Sequence, residues 1–287
     1  MHIVCCLKQV PDTADVKIDP ETNTLVREGL ESILNPYDLV AVEMAVRLKE
    51  KHGGRISALC MGPPQAQSVL RQAMSLGADA GILLSDRAFA GADTLATSYT
   101  LAQAVLILNR KTPVNLIICG KQAIDGDTAQ TGPGLATRLD YTQLTYVTAV
   151  ESFDPKNKLI RIKRRIEEGQ EILEAELPAL LTVELESARP RRASLPELIA
   201  SMRKDIEVWD KKKIEGDANQ LGIKGSPTWV RKMGAPPPRT SGPRFEAAKG
   251  LREAVDQSLD IIFADGFMAE ELGIPTGVHH GKDSRGN

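Results

Sequence analysis

The chain is short of aromatic residues, of charge of one sign and of long apolar runs. Phe, Trp and Tyr make up 4% of its 287 residues, too few for a platform that stacks the bases of single-stranded nucleic acid. Lys and Arg number 36 against 38 Asp and Glu, a net charge of −2. No basic excess exists to neutralise a row of phosphates, so no nucleic-acid partner is expected. No apolar run approaches the roughly 20 residues that cross a bilayer, so no membrane span is expected. The opening MHIVCCLKQV has no charged head, long apolar stretch or small-residue cleavage site. It does not read as a signal peptide, and a cytoplasmic location is expected.

Cysteine and histidine are also sparse. Cys5, Cys6, Cys60 and Cys119 form no CxxC pair. Adjacent Cys5 and Cys6 point to opposite faces of a strand and cannot jointly grip a metal. They read as small buried hydrophobes of a reducing compartment, and no metal site is expected. His2 starts a strand, His52 ends a helix, and His279 and His280 lie in a loose tail. None is poised beside a nucleophile, so no catalytic residue is assigned, and a bound cofactor is expected to carry the chemistry. Neither a Walker A loop nor GxGxxG occurs.

What remains is ordinary globular material, 42% hydrophobic and 26% charged, which excludes wholesale disorder. Four short apolar runs recur: Ile3 to Leu7, Ile56 to Met61, Ala80 to Leu84, and Leu116 to Cys119. Runs with so little alternation suit strands covered on both faces. Helical patterns lie between them. From Pro36 to His52, Tyr37, Val40, Ala41, Met44 and Leu48 share one face, and Glu43, Arg47 and Glu50 the other. Asn35 reads as its cap and Pro36 as its first turn. Further helices are expected from about Pro64 to Leu76, Asp93 to Asn109, and Thr131 or Pro133 to Leu139. The alternation predicts an α/β fold, a parallel sheet with helices on both faces. A hairpin, Val16 to Asp19 against Thr24 to Arg27, interrupts it early. Thr145 to Ser152, Leu159 to Ile166, Gln170 to Leu173 and Ala179 to Val183 read as antiparallel edge strands. From about Ser187 the chain turns arm-like, with a short helix near Pro196 to Arg203. A triple proline at Pro236 to Pro238 marks a linker, a last helix runs from about Arg244 to Phe263, and the tail from Gly273 is loose. The expected division is 1–186 for the α/β domain, 187–238 for an arm, and 239–287 for a C-terminal extension.

The richest loop is GKQAIDGDTAQTGP, Gly120 to Pro133, which leaves a buried strand and enters a helix. Open α/β sheets bind ligands beyond the carboxyl ends of their strands, and helix N-termini attract phosphate. Gly120, Gln122, Gly126, Thr128, Ala129, Gln130 and Thr131 are candidate cofactor contacts. Asp125 and Asp127 join them, turned from phosphate towards backbone N–H groups, ribose or base. The same loop can equally be a cap and turn that serve only the fold. Three other strand ends can close the pocket. Cys6 and Lys8 lie where the first strand ends, with Lys8 either on a phosphate or merely solvated. Asn35 and Asp38 open the first helix, as contacts or as caps. Met61 and Gly62 end the second strand. In DRAFAGADTLATS, Thr94 and Thr97 head a helix that Asp93 can cap.

These loops, in this order, resemble the β subunit of electron transfer flavoproteins. The likeness runs through CLKQVPDT with VKIDP, NPYD with VEMAVRLKEKHG, MGPPQA with MSLGAD, and GKQAIDGDTAQTGP. It continues through RRIEEGQEILEAELPALLTV, SARPRRASLP and GIKGSPT, covering about residues 1–235. The resemblance implies a Rossmann-like sheet of adenine nucleotide α-hydrolase-like type. It implies a heterodimer with a flavin-bearing α subunit, packed through the arm. Conventional members hold AMP in the β subunit, whereas electron-bifurcating members hold FAD. GKQAIDGDTAQTGP, VPDT and DRAFAGADTLATS are similar to the bifurcating group, so FAD is the expected cofactor and AMP the alternative. That implies NADH as hydride donor. One electron goes to the α-subunit flavin, and onward to an acyl-CoA dehydrogenase or a quinone pathway. The other goes to a low-potential acceptor such as ferredoxin or flavodoxin. SARPRRASLP resembles the family's recognition loop, with Leu195 as its partner contact, or packed on this chain's own helix. An ATP-using enzyme on the same sheet would need a Gly-Ser loop after the first strand, and KQVPDT has none. An ATP-binding stress-response module would lack the long arm.

Overall fold

The computed structural model describes residues 1–12, 17–18, 25–26, 32–229, 244 and 250–264. The chain divides into two units, Met1–Ala235 and Pro236–Asn287.

The first unit is built on β1 (His2–Leu7), β2 (Gln9–Pro11), β3 (Lys17–Ile18), β4 (Leu25–Val26), β5 (Ser32–Leu34), β6 (Arg55–Met61), β7 (Ala80–Leu84) and β8 (Leu116–Gly120). They are followed by β9 (Thr142–Asp154), β10 (Leu159–Ile166), β11 (Gly169–Glu176), β12 (Ala179–Val183) and β13 (Ile206–Trp209). Its helices are α1 (Pro36–His52), α2 (Gln67–Leu76), α3 (Thr94–Lys111), α4 (Thr131–Leu139) and α5 (Leu195–Arg203). Nine strands make one sheet in the order β11-β10-β9-β12-β8-β1-β6-β7-β13. From β9 to β13 every neighbour is parallel; β10 and β11 add antiparallel pairs at one edge.

The four apolar runs become β1, β6, β7 and β8, and helices cover both faces. Ile3, Cys5 and Leu7 pack with α1 and α2, while Val4 and Cys6 pack with α3 and α4. Cys5 and Cys6 thus fall into opposite cores, as the strand pleat requires. Two short antiparallel pairs, β2 with β5 and β3 with β4, follow β1; the latter is the expected hairpin, whose other residues lie outside those described.

Two placements differ from expectation. Ala179 to Val183 is not an antiparallel edge strand. It runs parallel between β8 and β9 with all five residues buried, and its unbroken apolar ALLTV is the pattern of a strand covered on both faces. Glu43, expected on the open side of α1, is 3% exposed, because the segment around Arg191 lies over it. The arm also returns one strand, β13, to the sheet beside β7.

The second unit contributes α6 (Leu251–Ala264). Leu251, Val255 and Leu259 recur every four residues and are exposed. The triple proline, the first turns expected from Arg244 and the tail from Gly273 lie outside the described residues.

Candidate functional site

After β1 the chain moves through β6 to β7 on one side, then returns to lay β8 on the other side of β1. The carboxyl ends of β1 and β8 are therefore where the sheet's winding reverses, the place where such sheets bind ligands. A cleft of about 560 Å³ opens there, a size typical of cofactor sites. Cys6 to Lys8 and Cys119 to Gln122 form its floor and one wall. Met61, Ala92 to Thr94, Thr97, Leu101 and Thr228 line the side near α3, and residues 126–132 and Leu135 the side near α4.

The head of α1 holds this arrangement. Asn35 stands at the N-cap position but makes no side-chain cap. Its amide reaches across instead, with Nδ2 donating to Gln122 O at 2.9 Å and Oδ1 accepting from Ile124 N at 3.3 Å. Asp38 accepts from Lys8 N at 2.8 Å and from Gly120 N at 2.9 Å. One buried carboxylate thereby ties the residue after β1 to the last residue of β8. Burial pushes its pKa up to about 7, against the hydrogen bonds that favour its charged form. The floor thiols Cys6 and Cys119 are pushed far above the ordinary thiol value by burial, so they stay protonated and neutral.

The two aspartates of the main loop are both occupied. Asp125 grips Lys8 Nζ with both oxygens at 2.7 Å, which takes the Asp125 side chain out of the cleft lining and engages the Lys8 ammonium. Asp127 accepts from Gln122 Nε2 at 2.8 Å. Asp127 and Ala129 adopt positive φ of 49° and 54°, a conformation that non-glycine residues hold mainly where surrounding structure enforces it, often at functional sites. Gln130 gives α4 no side-chain cap, so the first-turn N–H groups and the helix dipole are offered to the cleft. Thr94 Oγ1 bonds Gln130 Oε1 at 3.0 Å and joins the heads of α3 and α4. Gly132 lets α4 approach the sheet, since a Cβ there would lie 2.6 Å from Thr182 Cγ2.

Of the cofactor contacts expected from sequence, Cys6, Lys8, Asn35, Asp38, Met61, Thr94, Thr97, Gly120, Gln122, Gly126, Asp127, Thr128, Ala129, Gln130 and Thr131 line this one cleft. Gly62 and Asp125 do not. Gly62 instead donates its N–H to Leu84 O, joining the ends of β6 and β7. Leu195 heads α5 and is 69% exposed. Several lining residues were missed. Lys121 pairs with buried Glu184 at 3.1 Å and lies over the rings of Tyr37 and Tyr146. Asp93 caps α3 through Ala96 N as expected; unexpected is that its other oxygen accepts from Thr228 N and Oγ1. Ser226 Oγ receives Asp93 N at 2.8 Å. GIKGSPT was the available signal, but nothing local says that it folds back more than 130 residues.

The donor set suits a phosphorylated ligand: threonine hydroxyls, amides and a helix N-terminus around an apolar floor. A Cβ on Gly126 would meet nothing within 4 Å, and Gly126 is one of the cleft-lining residues, so the protein leaves room for a ligand to approach its backbone. Among the described residues no group of three His, Cys, Asp or Glu could hold a metal ion, and no helix is long and apolar enough to cross a membrane.

Comparison with known proteins gives a concordant answer. A family model, the electron transfer flavoprotein domain, matches residues 22–214. Protein FixA of Azotobacter vinelandii is 48% identical over 241 residues, 84% of this chain and 86% of that protein. The electron transfer flavoprotein subunit beta of Clostridium acetobutylicum is 44% identical over 257 residues, 90% and 93% of the two chains. That of Thermoanaerobacterium thermosaccharolyticum is 44% identical over 261 residues, 91% and 97%.

Proposed function

The chain belongs to the electron transfer flavoprotein family, with the β subunits and FixA proteins, and we propose that its cleft holds an FAD that takes part in electron transfer. The supporting observation is the continuity of the cleft. It runs from the uncapped head of α4, across the neutral thiols Cys6 and Cys119, to Met61 and the head of α3. An adenosine diphosphate moiety fits the loop between Gly120 and Thr131, with Thr128, Gln130, Thr131 and the α4 N–H groups on phosphate. The side near Met61, Thr94, Thr97 and Thr228 then receives the flavin ring. When bound, the flavin supplies the exchange between two-electron and one-electron steps. The chain's own part is to orient it, to set the neutral thiols Cys6 and Cys119 beneath it, and to hold both loops through Asn35 and Asp38.

In this reading NADH is the hydride donor and the protein works beside a flavin-bearing α subunit. Electrons pass onward to an acyl-CoA dehydrogenase or quinone pathway and to a low-potential acceptor such as ferredoxin or flavodoxin. Leu195, exposed at the head of α5, contacts the dehydrogenase. The deciding experiment is extraction of nucleotide from the purified α/β complex and identification by mass. Two FAD per heterodimer is the expected result; one FAD and one AMP would replace this reading with that of a conventional carrier. Thr131→Ala should lower the nucleotide content several-fold at unchanged fold, as loss of a hydrogen bond to a charged group implies. Full retention would remove α4 from the site.

A further inference from the structure

Asp93 ties two distant parts of the chain together at one end of the cleft. Its Oδ1 accepts from Ala96 N at 3.0 Å and caps α3. Its Oδ2 accepts from Thr228 N at 3.1 Å and from Thr228 Oγ1 at 2.8 Å. Its own N–H donates to Ser226 Oγ at 2.8 Å. The segment that brings these partners is docked just upstream. Leu221 is 2% exposed, and Ile223 N donates to Ala90 O at 3.1 Å. Gly222 stands at φ 52°, where a Cβ would lie 2.3 Å from Ala88 O, so the segment passes too close to the backbone before α3 for a side chain there. After Ser226 the chain emerges, and Pro227, Thr228 and Trp229 are exposed. Pro227 has no N–H to give, and Thr228 is held through Asp93. Asp93 and Thr228 both line the cleft.

Burial alone would raise the Asp93 pKa, but the hydrogen bonds from Ala96 and Thr228 outweigh it and hold it below the ordinary carboxyl value. A charged carboxylate only accepts, so Thr228 spends its hydroxyl proton on it. Towards a ligand that hydroxyl is then an acceptor. Phosphate oxygens, which are acceptors too, gain nothing there, whereas a heterocycle such as isoalloxazine or adenine offers N–H groups. The heads of the helices that open on the cleft differ in the same sense. The Asp93 carboxylate closes α3, while α4 has no side-chain cap, so phosphate is drawn to α4 and turned away from α3.

We propose that Asp93 is a positioning residue that sets specificity: it holds Thr228 as an acceptor for the flavin ring, so that the cleft favours a flavin dinucleotide over its adenosine diphosphate half. The inference rests on the placement of the ring beside Met61, Thr94, Thr97 and Thr228.

The test titrates the nucleotide-stripped full-length chain with FAD and with ADP by calorimetry. The parent binds FAD more tightly than ADP. Serine caps helices about as well as aspartate but has a single side-chain oxygen, so Asp93→Ser keeps α3 capped and releases Thr228. Its affinity for FAD falls roughly tenfold, as loss of one or two net hydrogen bonds implies, while its affinity for ADP stays within about twofold. Thr228→Val reproduces the selective loss, and Thr228→Ser, which keeps the hydroxyl, does not. The visible absorption bands of the FAD that Asp93→Ser and Thr228→Val still bind lie closer to those of free FAD. Equal affinity of the parent for FAD and ADP would remove the flavin reading itself, and this inference with it. A parent that prefers FAD, beside an Asp93→Ser variant that matches it, would leave the flavin in place and overturn the role of Asp93. Equal loss of both ligands would put the effect on the shared adenosine diphosphate half and equally overturn it. So would a silent Thr228→Val, which would make a loss in Asp93→Ser that of a direct contact. Should Asp93→Ser not fold, the contrast between Thr228→Val and Thr228→Ser decides alone.

Discussion

Unfolding of the Asp38→Asn variant is expected to lose a pH dependence that the parent shows between about pH 4 and pH 7. Burial pushes the Asp38 carboxyl from 3.8 to about 7, despite hydrogen bonds from Lys8, Gly120 and Asn35 that favour the charged form. A carboxyl harder to ionise in the folded chain than in the unfolded one stabilises the fold fully below about pH 4. That contribution is lost as pH rises through about 7, with a slope approaching ~1.4 kcal/mol per pH unit. Glu43, Asp86, Asp93 and Asp217 are shifted downward, so their contributions are lost instead as pH falls. Subtracting the variant's urea-denaturation profile from the parent's cancels them. Asparagine also offers one acceptor where the carboxylate offers two, so one loop N–H faces an amide N–H at a cost of about 1–3 kcal/mol. The variant is therefore the less stable protein near pH 5, and the gap narrows towards pH 8. Nucleotide content falls across the whole range, because the two N–H groups belong to the neighbouring ends of β1 and β8 that form the floor of the cleft. Parallel pH profiles for the two proteins would contradict this account of Asp38.

The parallel half of the sheet is legible in the sequence because each strand is buried on both faces. Runs such as Ile3 to Leu7 and Leu116 to Cys119 then carry no polar interruption. The helix from Pro36 to His52 is legible to the residue, since Asn35-Pro36 opens it and Gly53, at φ 74°, follows it. Strand order is not local information. Ala179 to Val183 follows a hairpin in sequence yet enters the sheet two strands inward, in a register set by β8 and β9. Ile206 to Trp209 is short and partly exposed, so its pairing with β7 leaves little trace in its residues. The cleft divides the same way. Glycines, threonines and an adjacent helix start advertise the loop from Gly120 to Thr131. Thr228 and Ser226 are visible only once Asp93 is seen to bind them. Asn35 shows how a residue can be placed correctly and its work misread: it stands at the cap position, but its amide serves the loop at Gln122.

Two glycines of that loop separate the fold's demands from the ligand's. A Cβ on Gly120 would lie 2.4 Å from Tyr37 Cβ, 2.5 Å from Asp38 Oδ1 and 2.8 Å from the Tyr37 carbonyl carbon. The last is backbone at the head of α1, so no rotamer change relieves it. Gly120→Ala must push β8's end away from α1 and break the bond between Gly120 N and Asp38. Overpacking of this kind costs about 1–3 kcal/mol, and the stranded carboxylate adds a further loss of about 1–3 kcal/mol. A Cβ on Gly126 meets nothing within 4 Å, so Gly126→Ala leaves the unfolding free energy of the nucleotide-free protein unchanged within about 0.5 kcal/mol. Gly126 nevertheless lines the cleft, and a methyl group there intrudes on any nucleotide that follows the loop. The two variants should therefore both lose bound nucleotide on purification, while only Gly120→Ala loses stability once nucleotide is removed. Thermal unfolding of the stripped proteins, set beside mass quantification of what each retains, separates the two effects. Retention of full nucleotide content by Gly126→Ala would move the ligand off this loop, whatever Gly120→Ala does to the fold.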